Sequence, residues 1–233
     1  MNYSDIERQT FKTFLVFSTL LLTGLLTLFN LSSSFYRVSQ ILYSENEEIN
    51  FDSLDSLLGT SIWLIDDYYF EAFYEDNPTV ERISIRKDLP NKLSIEISTS
   101  DKLVFIKDSR QVPQKTTILY KNLHLEEKKS NRGLPTLLIE NGPVKSGFYE
   151  EIVTFIMTLK KYSINLKNIE ITYNGEDVFL THLDMKVTLG SPSDLARKAS
   201  VIGYYIAENP CSGEIRLTYS QDGNEIQAVT NCS

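Results

Sequence analysis

A run of nineteen uncharged residues near the N-terminus, from 13 to 31, limits the folds that this chain can adopt more than any other feature does. Eight of the nineteen are leucine, and as a helix the run is roughly 28 Å long, which matches the hydrocarbon thickness of a bilayer. The apolar region of a cleaved signal peptide usually has only about 7 to 15 residues. The sequence therefore predicts a transmembrane helix over residues 13–31, with a cleaved signal peptide as the alternative.

Basic residues on the two sides of the predicted span indicate its orientation. Arg8 and Lys12 precede the span, whereas only Arg37 follows it closely. Because basic residues are retained on the cytoplasmic side, residues 1–12 are predicted to form a cytoplasmic tail, and the remainder of the chain is predicted to lie outside the cytoplasm. The predicted location is therefore the cell membrane, which the chain crosses once.

The part outside the cytoplasm is acidic. The chain has a formal net charge of -8, from 23 Lys and Arg against 31 Asp and Glu, and the charges of the short tail cancel. A nucleic-acid groove needs a positive surface that displaces counterions from phosphates. No nucleic-acid partner is therefore predicted.

No arrangement of residues in the sequence is typical of a catalytic or cofactor site. The two cysteines and two histidines are too widely spaced for a zinc or iron site, and no glycine-rich turn follows a predicted strand. His124 and His182 are interpreted as ordinary strand or turn residues, Asp66-Asp67 as a helix start and Glu126-Glu127 as part of a loop. The sequence thus predicts a protein that is not an enzyme and has no metal, cofactor or small-molecule substrate, with a hydrolase acting through two carboxylates left open.

Residues 32–99 follow the order strand, helix, helix, strand, strand. The predicted elements are a strand at 38–43, helices after Asn50 and over 66–74, and strands at 80–87 and 93–97. Asn77-Pro78 ends the second helix, and the turn at 88–91 joins the last two strands as a hairpin. Trp63 is interpreted as a core anchor of this module.

Residues 100–233 are predicted to form a β domain with two packed helices. The predicted strands are an antiparallel meander of 103–106, 116–120 and 134–139, followed by strands at 169–173, 178–180 and 185–189. The charged segment 126–132 is interpreted as a solvated loop. One helix is predicted over 148–161, and a second begins at Ser191, which is predicted to cap it. The predicted fold class is α+β, with a transmembrane helix, a βααββ module and a mixed, mainly antiparallel β domain.

The last two predicted strands form a hairpin whose register can be argued from the sequence. Placing Leu217 opposite Ile226 keeps the apolar residues on one face, gives a four-residue loop and brings Cys211 opposite Cys232. In a compartment outside the cytoplasm these cysteines are predicted to form a disulfide, worth about 3 kcal/mol in the chain-entropy model. Two separate thiols are the alternative, since Pro210 and Gly213 could divert the strand.

Three sequence blocks in the first module resemble a known family. They are residues 59–66 (GTSIWLID), 77–81 (NPTVE) and 86–95 (RKDLPNKLSI), and they follow a single span in the right order. These blocks resemble the POTRA module of the FtsQ and DivIB division proteins of bacteria. The resemblance implies a POTRA-like domain over 32–99 and an FtsQ/DivIB-like β domain over 100–233.

The resemblance also implies a function. Proteins of this family are non-catalytic scaffolds of the division septum, and their β domain binds a small coiled-coil protein, FtsB or DivIC, which is paired with FtsL. That complex links septum formation to peptidoglycan synthesis, and strand addition suits such binding because backbone hydrogen bonds give affinity. An anchored cell-envelope enzyme with a POTRA-like accessory module is the alternative.

The family's contact region lies near the last strands, in a motif of the type Asp-Leu-Arg-Tyr. Aligned with it, residues 216–219 (RLTY) keep Leu217 and Tyr219. The resemblance implies a partner-binding site made of Glu214, Arg216, Thr218 and Tyr219. The alternative is that Leu217 and Tyr219 fill the core while the other residues form a solvated face.

Overall fold

The computed structural model describes residues 3–44, 46, 48–131, 133–207, 212–220, 223 and 225–232. The chain divides into two compact units, Met1–Thr99 and Ser100–Ser233. The first unit begins with helix α1, Tyr3–Ser32, in which Phe11–Asn30 has a mean hydropathy of 1.8 and is long enough to cross a membrane. The predicted N-terminal apolar helix is therefore confirmed.

A three-stranded sheet and short helices follow α1. The elements are a 3-10 helix at Ser34–Tyr36, β1 at Gln40–Tyr43, 3-10 helices at Asp52–Leu57 and Asp67–Phe70, α2 at Glu71–Asp76, β2 at Val80–Asp88 and β3 at Lys92–Thr99. The sheet order is β1-β3-β2, with β3 parallel to β1 and antiparallel to β2. The predicted βααββ order is confirmed, although the first of the two helices is a 3-10 helix.

Polar side chains bond to the start of both predicted helices, but only Asp66 is an N-cap, since the N-cap of the other helix is Phe51. The Asn50 side chain accepts a hydrogen bond from the backbone N–H of Asp52, and Asp66 accepts one from Tyr68, which satisfies donors that a helix start leaves open. Trp63 is different: its side chain is half exposed and lies outside the core, so its interpretation as a core anchor is wrong. The core is instead filled from the helices and the middle strand, by Leu54, Leu57, Phe70, Phe73, Leu93 and Ile95.

Asn77 joins the segment after α2 to the segment before the 3-10 helix Asp52–Leu57. Its side chain is 4% exposed, accepts the Asn50 N–H at 2.7 Å, and donates to the Asn50 and Phe73 carbonyls at 2.8 and 3.0 Å. Asn77→Ala leaves these backbone groups without their partner, so we expect the free energy of unfolding to fall by about 2 to 3 kcal/mol.

Denaturant unfolding of the full chain measures this loss. The matched control is Asn46→Ala, because Asn46 is exposed and its side-chain oxygen accepts a local hydrogen bond from the Glu48 N–H. Its loss should cost less than about 1 kcal/mol. Equal destabilisation by the two variants would contradict the structural role assigned to Asn77.

The described residues of the second unit form a nine-stranded mixed sheet, two α-helices and a 3-10 helix at Leu166–Asn168. The elements are β4 Lys102–Asp108, β5 Lys115–Tyr120, β6 Leu125–Glu127, β7 Thr136–Ile139, α3 Phe148–Lys160, β8 Ile169–Tyr173, β9 Val178–His182, β10 Met185–Gly190, α4 Leu195–Ala207, β11 Gly213–Tyr219 and β12 Ile226–Cys232. The strand order is β12-β11-β10-β9-β8-β7-β4-β5-β6. The predicted α+β class is confirmed.

Helices α3 and α4 cover one face of this sheet. The buried positions of α3 recur at helical spacing and pack with those of α4 and the strands in one core: Ile152, Phe155, Ile156, Leu159, Ala199 and Ile202. On the other face a separate small cluster covers β4 and β5, made of Phe105, Ile118, Tyr120 and Leu134. No such cluster of described residues covers β9 to β12 on that side, where the sheet presents an open face.

The predicted antiparallel meander is wrong in its third strand. β7 pairs with β4 in parallel, and β6 lies on the far side of β5. Short apolar runs do not encode strand direction, but β4 carries four consecutive buried residues, 103–106, as is typical of a central strand with neighbours on both sides.

The charged segment 126–132 is not entirely a loop, because its first residues belong to β6. Glu126 lies 2.8 Å from the Lys128 ammonium group, and Glu127 lies 2.6 Å from that of Lys115. β6 is thus a short edge strand with charged side chains, and both properties protect it against pairing with another chain. Arg132, the end of the predicted loop, lies outside the described residues.

The start of α4 also differs from the prediction. The helix begins at Leu195, four residues after Ser191, and Asp194 before it has a φ of 55°. The backbone N–H of Leu195 donates to the Glu151 carboxylate of α3 at 2.8 Å. A side chain from another helix therefore caps α4, which no local pattern could indicate.

Candidate partner-binding edge

The two sheets have four edge strands, and β12 differs from the other three. β6 has three residues and β1 has four, while the nine residues of β2 include five that are charged. Short length and charge both protect an edge against pairing with another chain. β12 has seven residues and no charge. It is the edge strand best suited to accept a further strand.

β12 pairs with β11 in a register that differs from the predicted one. Leu217 lies opposite Ala228, and Tyr219 lies opposite Ile226. The register is shifted by two residues, which leaves every side chain on its predicted face, so the alternation of apolar residues could not distinguish the two. The connection is accordingly six residues long, and the Ser220 N–H donates to the Glu225 carbonyl at 2.9 Å.

The predicted disulfide depends partly on residues outside the described part of the chain. Cys232 lies opposite Gly213 rather than opposite Cys211, and it is disulfide-bonded. Cys211 lies outside the described residues. The pairing of Cys211 with Cys232 therefore stays a prediction.

The register indicates which backbone groups of β12 point towards the open edge. The hydrogen bond between Ser220 and Glu225 makes these residues a bonded pair, and bonded pairs alternate with non-bonded pairs along an antiparallel ladder. Val229 therefore bonds to β11, whereas Ala228 and Thr230 direct their N–H and C=O groups away from it. These outward groups are the ones that an added strand would use.

The four predicted partner-binding residues do not share one face. Glu214, Arg216 and Thr218 lie on the open face, because Ile215 and Leu217 between them are buried against the helices. Tyr219 lies on the helix-covered side, where its hydroxyl donates to the Asp194 carboxylate at 3.0 Å. The structure thus brings three of the residues together and separates the fourth.

Tyr219 and the buried Lys198 connect the last hairpin to α4. Lys198 is 1% exposed, donates to the Ser191 carbonyl at 2.7 Å and lies 5.7 Å from the centre of the Tyr219 ring. Burial lowers the pKa of Lys198, with Asp194 and Glu151 acting in the opposite direction. Burial, followed by the hydrogen bond to Asp194, raises the pKa of Tyr219. Tyr219 therefore positions β11 on the helix layer.

The open face beside β12 contains a groove of about 460 Å³. Val229, Arg216, Thr188 and Phe179 are aligned neighbours across β12, β11, β10 and β9 and form its floor. Lys186 lies beside Glu214, so the charges of the groove are mixed. The groove can hold an apolar side chain and place charges around it.

Sequence reasoning missed Val229 and Phe179 because alternation assigns both to the solvent face. A usable signal was present, since both are large apolar residues at otherwise polar positions, and Val229 is 61% exposed. Isolated exposed apolar residues are common, but two that line one groove mark a binding surface more specifically.

Among the described residues, no group of three or more His, Cys, Asp or Glu could hold a metal ion. His182 lies on β9, where burial lowers its pKa. His124 lies in the turn between β5 and β6, with its ring 5.8 Å from that of Tyr120.

An apolar N-terminal helix, a βααββ unit and a large mixed sheet indicate a membrane-associated protein of two units. Residues 37–98, about a quarter of the chain, match the family model described as POTRA domain, FtsQ-type. The chain therefore contains an FtsQ-type POTRA domain, and its order after an apolar helix is consistent with an FtsQ/DivIB-like protein. The FtsQ-type POTRA family is a non-enzymatic division scaffold family, so the domain supports a scaffold role in cell division. The comparison with curated proteins found no match.

Proposed function

We propose that this protein is a non-catalytic, single-pass scaffold of the bacterial division machinery. Its N-terminal tail lies in the cytoplasm, its POTRA domain and its second unit lie outside the cytoplasm, and it acts at the septum. It binds a small coiled-coil division protein of the FtsB or DivIC type, paired with an FtsL-type protein, and so links septum formation to peptidoglycan synthesis.

The observation that carries this proposal is the position of β12 at the edge of the nine-stranded sheet. Seven uncharged residues extend along it, and the other sheet edges are short or charged. A strand added here gains backbone hydrogen bonds from alternate residues, Ala228 and Thr230 among them. Such binding needs no catalytic group and leaves the sheet otherwise unchanged.

Selectivity comes from the open face next to that edge. Arg216 is the cross-strand neighbour of Val229, and its long side chain can reach a residue on an added strand. Glu214 and Thr218 lie on the same face of β11 as Arg216. We assign these three residues to partner contact and give Tyr219 the supporting role of holding β11 against Asp194.

Depletion of the protein in living cells tests the proposed function. Cells that lose it should continue to elongate without completing septa, and a fluorescent fusion of the full chain should gather at midcell. Purification of the tagged full chain from membranes should recover the FtsB- or DivIC-type protein. Normal division after complete depletion, or an absence of that partner from the purified complex, would refute the proposal.

A further inference from the structure

Three aromatic side chains in contact form a surface patch just beyond the membrane helix, and the exposed Leu64 follows the last of them in sequence. Phe35, Trp63 and Leu64 are 61%, 44% and 51% exposed, and the partly buried Tyr36 lies between Phe35 and Trp63. None of the four carries a charge. We call Phe35, Tyr36, Trp63 and Leu64 the aromatic patch.

The aromatic patch is fixed to the body of the POTRA domain. The Ile62 N–H donates to the Tyr36 carbonyl at 2.8 Å, and the ring of Tyr36 lies 5.6 Å from that of Trp63. The segments that carry these rings are anchored by Val38 and Ile62, which are buried in the core. The patch is therefore a rigid feature of the domain surface.

The length of chain between α1 and the patch keeps the patch close to the membrane. The apolar segment ends at Asn30, α1 continues to Ser32, and Phe35 follows three residues later. At about 1.5 Å per helical residue and at most about 3.6 Å per residue beyond, Phe35 lies within about 14 Å of the end of that segment. The headgroup layer is roughly 5 to 8 Å deep on each side of the hydrocarbon, so the patch lies at or within reach of it.

We propose that the aromatic patch binds the bilayer itself, at the boundary between headgroups and hydrocarbon in the leaflet from which α1 emerges. Tryptophan and tyrosine favour this boundary because each has an apolar body and a polar hydrogen-bonding group. The patch is apolar rather than basic, so the lipid it binds need not be anionic. The inference goes beyond the scaffold function but rests on α1 being a membrane anchor.

This contact gives the POTRA domain two attachments to the membrane. The helix α1 alone would allow the domain to rotate about Ser33, which lies between α1 and the 3-10 helix. The patch removes that freedom because Trp63 is distant from Phe35 in sequence but belongs to the same surface. The height of the POTRA domain above the membrane is then fixed for whatever binds it.

Trp63 is the only tryptophan of the chain, so its fluorescence reports on the patch directly. The full-length protein is reconstituted into vesicles of zwitterionic phosphatidylcholine, and flotation confirms that it is inserted. Brominated phosphatidylcholine quenches tryptophan only on contact. We expect a loss of Trp63 emission that is larger with bromines near the headgroups than with bromines near the chain ends.

Substitutions at exposed positions test whether the patch causes the quenching. Phe35→Ser and Leu64→Ser should each reduce the loss of emission without changing the fold. Leu42→Ser is the matched control, because Leu42 is also half exposed but lies further along β1 and outside the patch, and it should leave the loss unchanged.

Each outcome decides between the alternatives. Failure of the protein to float with the vesicles refutes the membrane anchor and this inference with it. Flotation with Trp63 emission unaffected by either brominated lipid refutes the inference alone. Equal effects of Leu42→Ser and the patch variants also refute it, because the contact would then not be centred on the patch.

Discussion

Replacing Thr230 with proline is expected to abolish capture of the FtsB- or DivIC-type partner while the second unit stays folded. The Thr230 N–H points towards the open edge, so its loss removes no hydrogen bond between β11 and β12. Proline is tolerated on an edge strand for the same reason. Its ring would occupy the place that an added strand needs, and the lost donor alone corresponds to about tenfold in affinity.

Two further variants distinguish the contribution of the Thr230 backbone N–H to binding from that of its side chain. Thr230→Val keeps the N–H and removes only the hydroxyl, so binding should be nearly unchanged. Val229→Pro removes an N–H that bonds to β11 and should lower the stability of the hairpin itself. Binding is measured by titrating the partner's region outside the cytoplasm against the full-length protein, with a thermal scan of each variant.

The pattern of loss decides the mode of binding. Wild-type affinity in Thr230→Pro would exclude strand addition at β12. Equal losses in Thr230→Pro and Thr230→Val would instead assign the contact to the threonine side chain. Pairing through the backbone predicts that Thr230→Pro loses affinity for the partner and that Thr230→Val does not. The melting temperature of Thr230→Pro should be unchanged.

The first unit could be predicted from sequence because its determinants are local. Asp66 caps the helix that it precedes, Asn77 and Pro78 follow the end of α2, and residues 89–91 form the turn between β2 and β3. Each of these signals acts within a few residues of the structure it specifies. The prediction that Trp63 anchors the core failed because a single apolar residue in a sequence does not show whether its side chain is buried or exposed.

The second unit could be predicted only in part, because its order depends on distant contacts. Periodicity located most strands, but it contains no information on which strand lies beside which. The parallel pairing of β7 with β4 and the capping of α4 by Glu151 are both of this kind. The register of the last hairpin failed for a different reason, since a shift of two residues preserves the face of every side chain.

The candidate binding site also shows that strand order cannot be predicted from local sequence. The family resemblance directed attention to β11, and the strand order shows that β11 is the second strand from the edge. Tyr219 and Arg216 are three residues apart and therefore on opposite faces of the sheet. A sequence motif can mark the region of a contact, but the edge that offers backbone groups follows from the topology.

Replacing Gly213 with alanine is expected to separate β12 from β11 and thereby remove the edge on which binding depends. Gly213 begins β11 with a φ of 142°, a conformation available almost only to glycine, and a Cβ there would overlap the carbonyl oxygen of Asn231 on β12. Both the strain and the overlap involve backbone, so no side-chain rotation relieves them. We expect the free energy of unfolding of the second unit to fall by about 3 kcal/mol or more.

The control for Gly213→Ala lies in the same hairpin. Gly223 has a φ of 72°, but a Cβ at this position would meet no atom within 4 Å, so Gly223→Ala should cost only the backbone strain of about 1 to 2 kcal/mol. Denaturant unfolding and partner titration of the two full-length variants make the comparison. Loss of binding in Gly213→Ala alone agrees with an intact β11–β12 pair being required. If both variants bound equally well, recognition would depend on the open face of the sheet rather than on its edge, since the edge would then be dispensable.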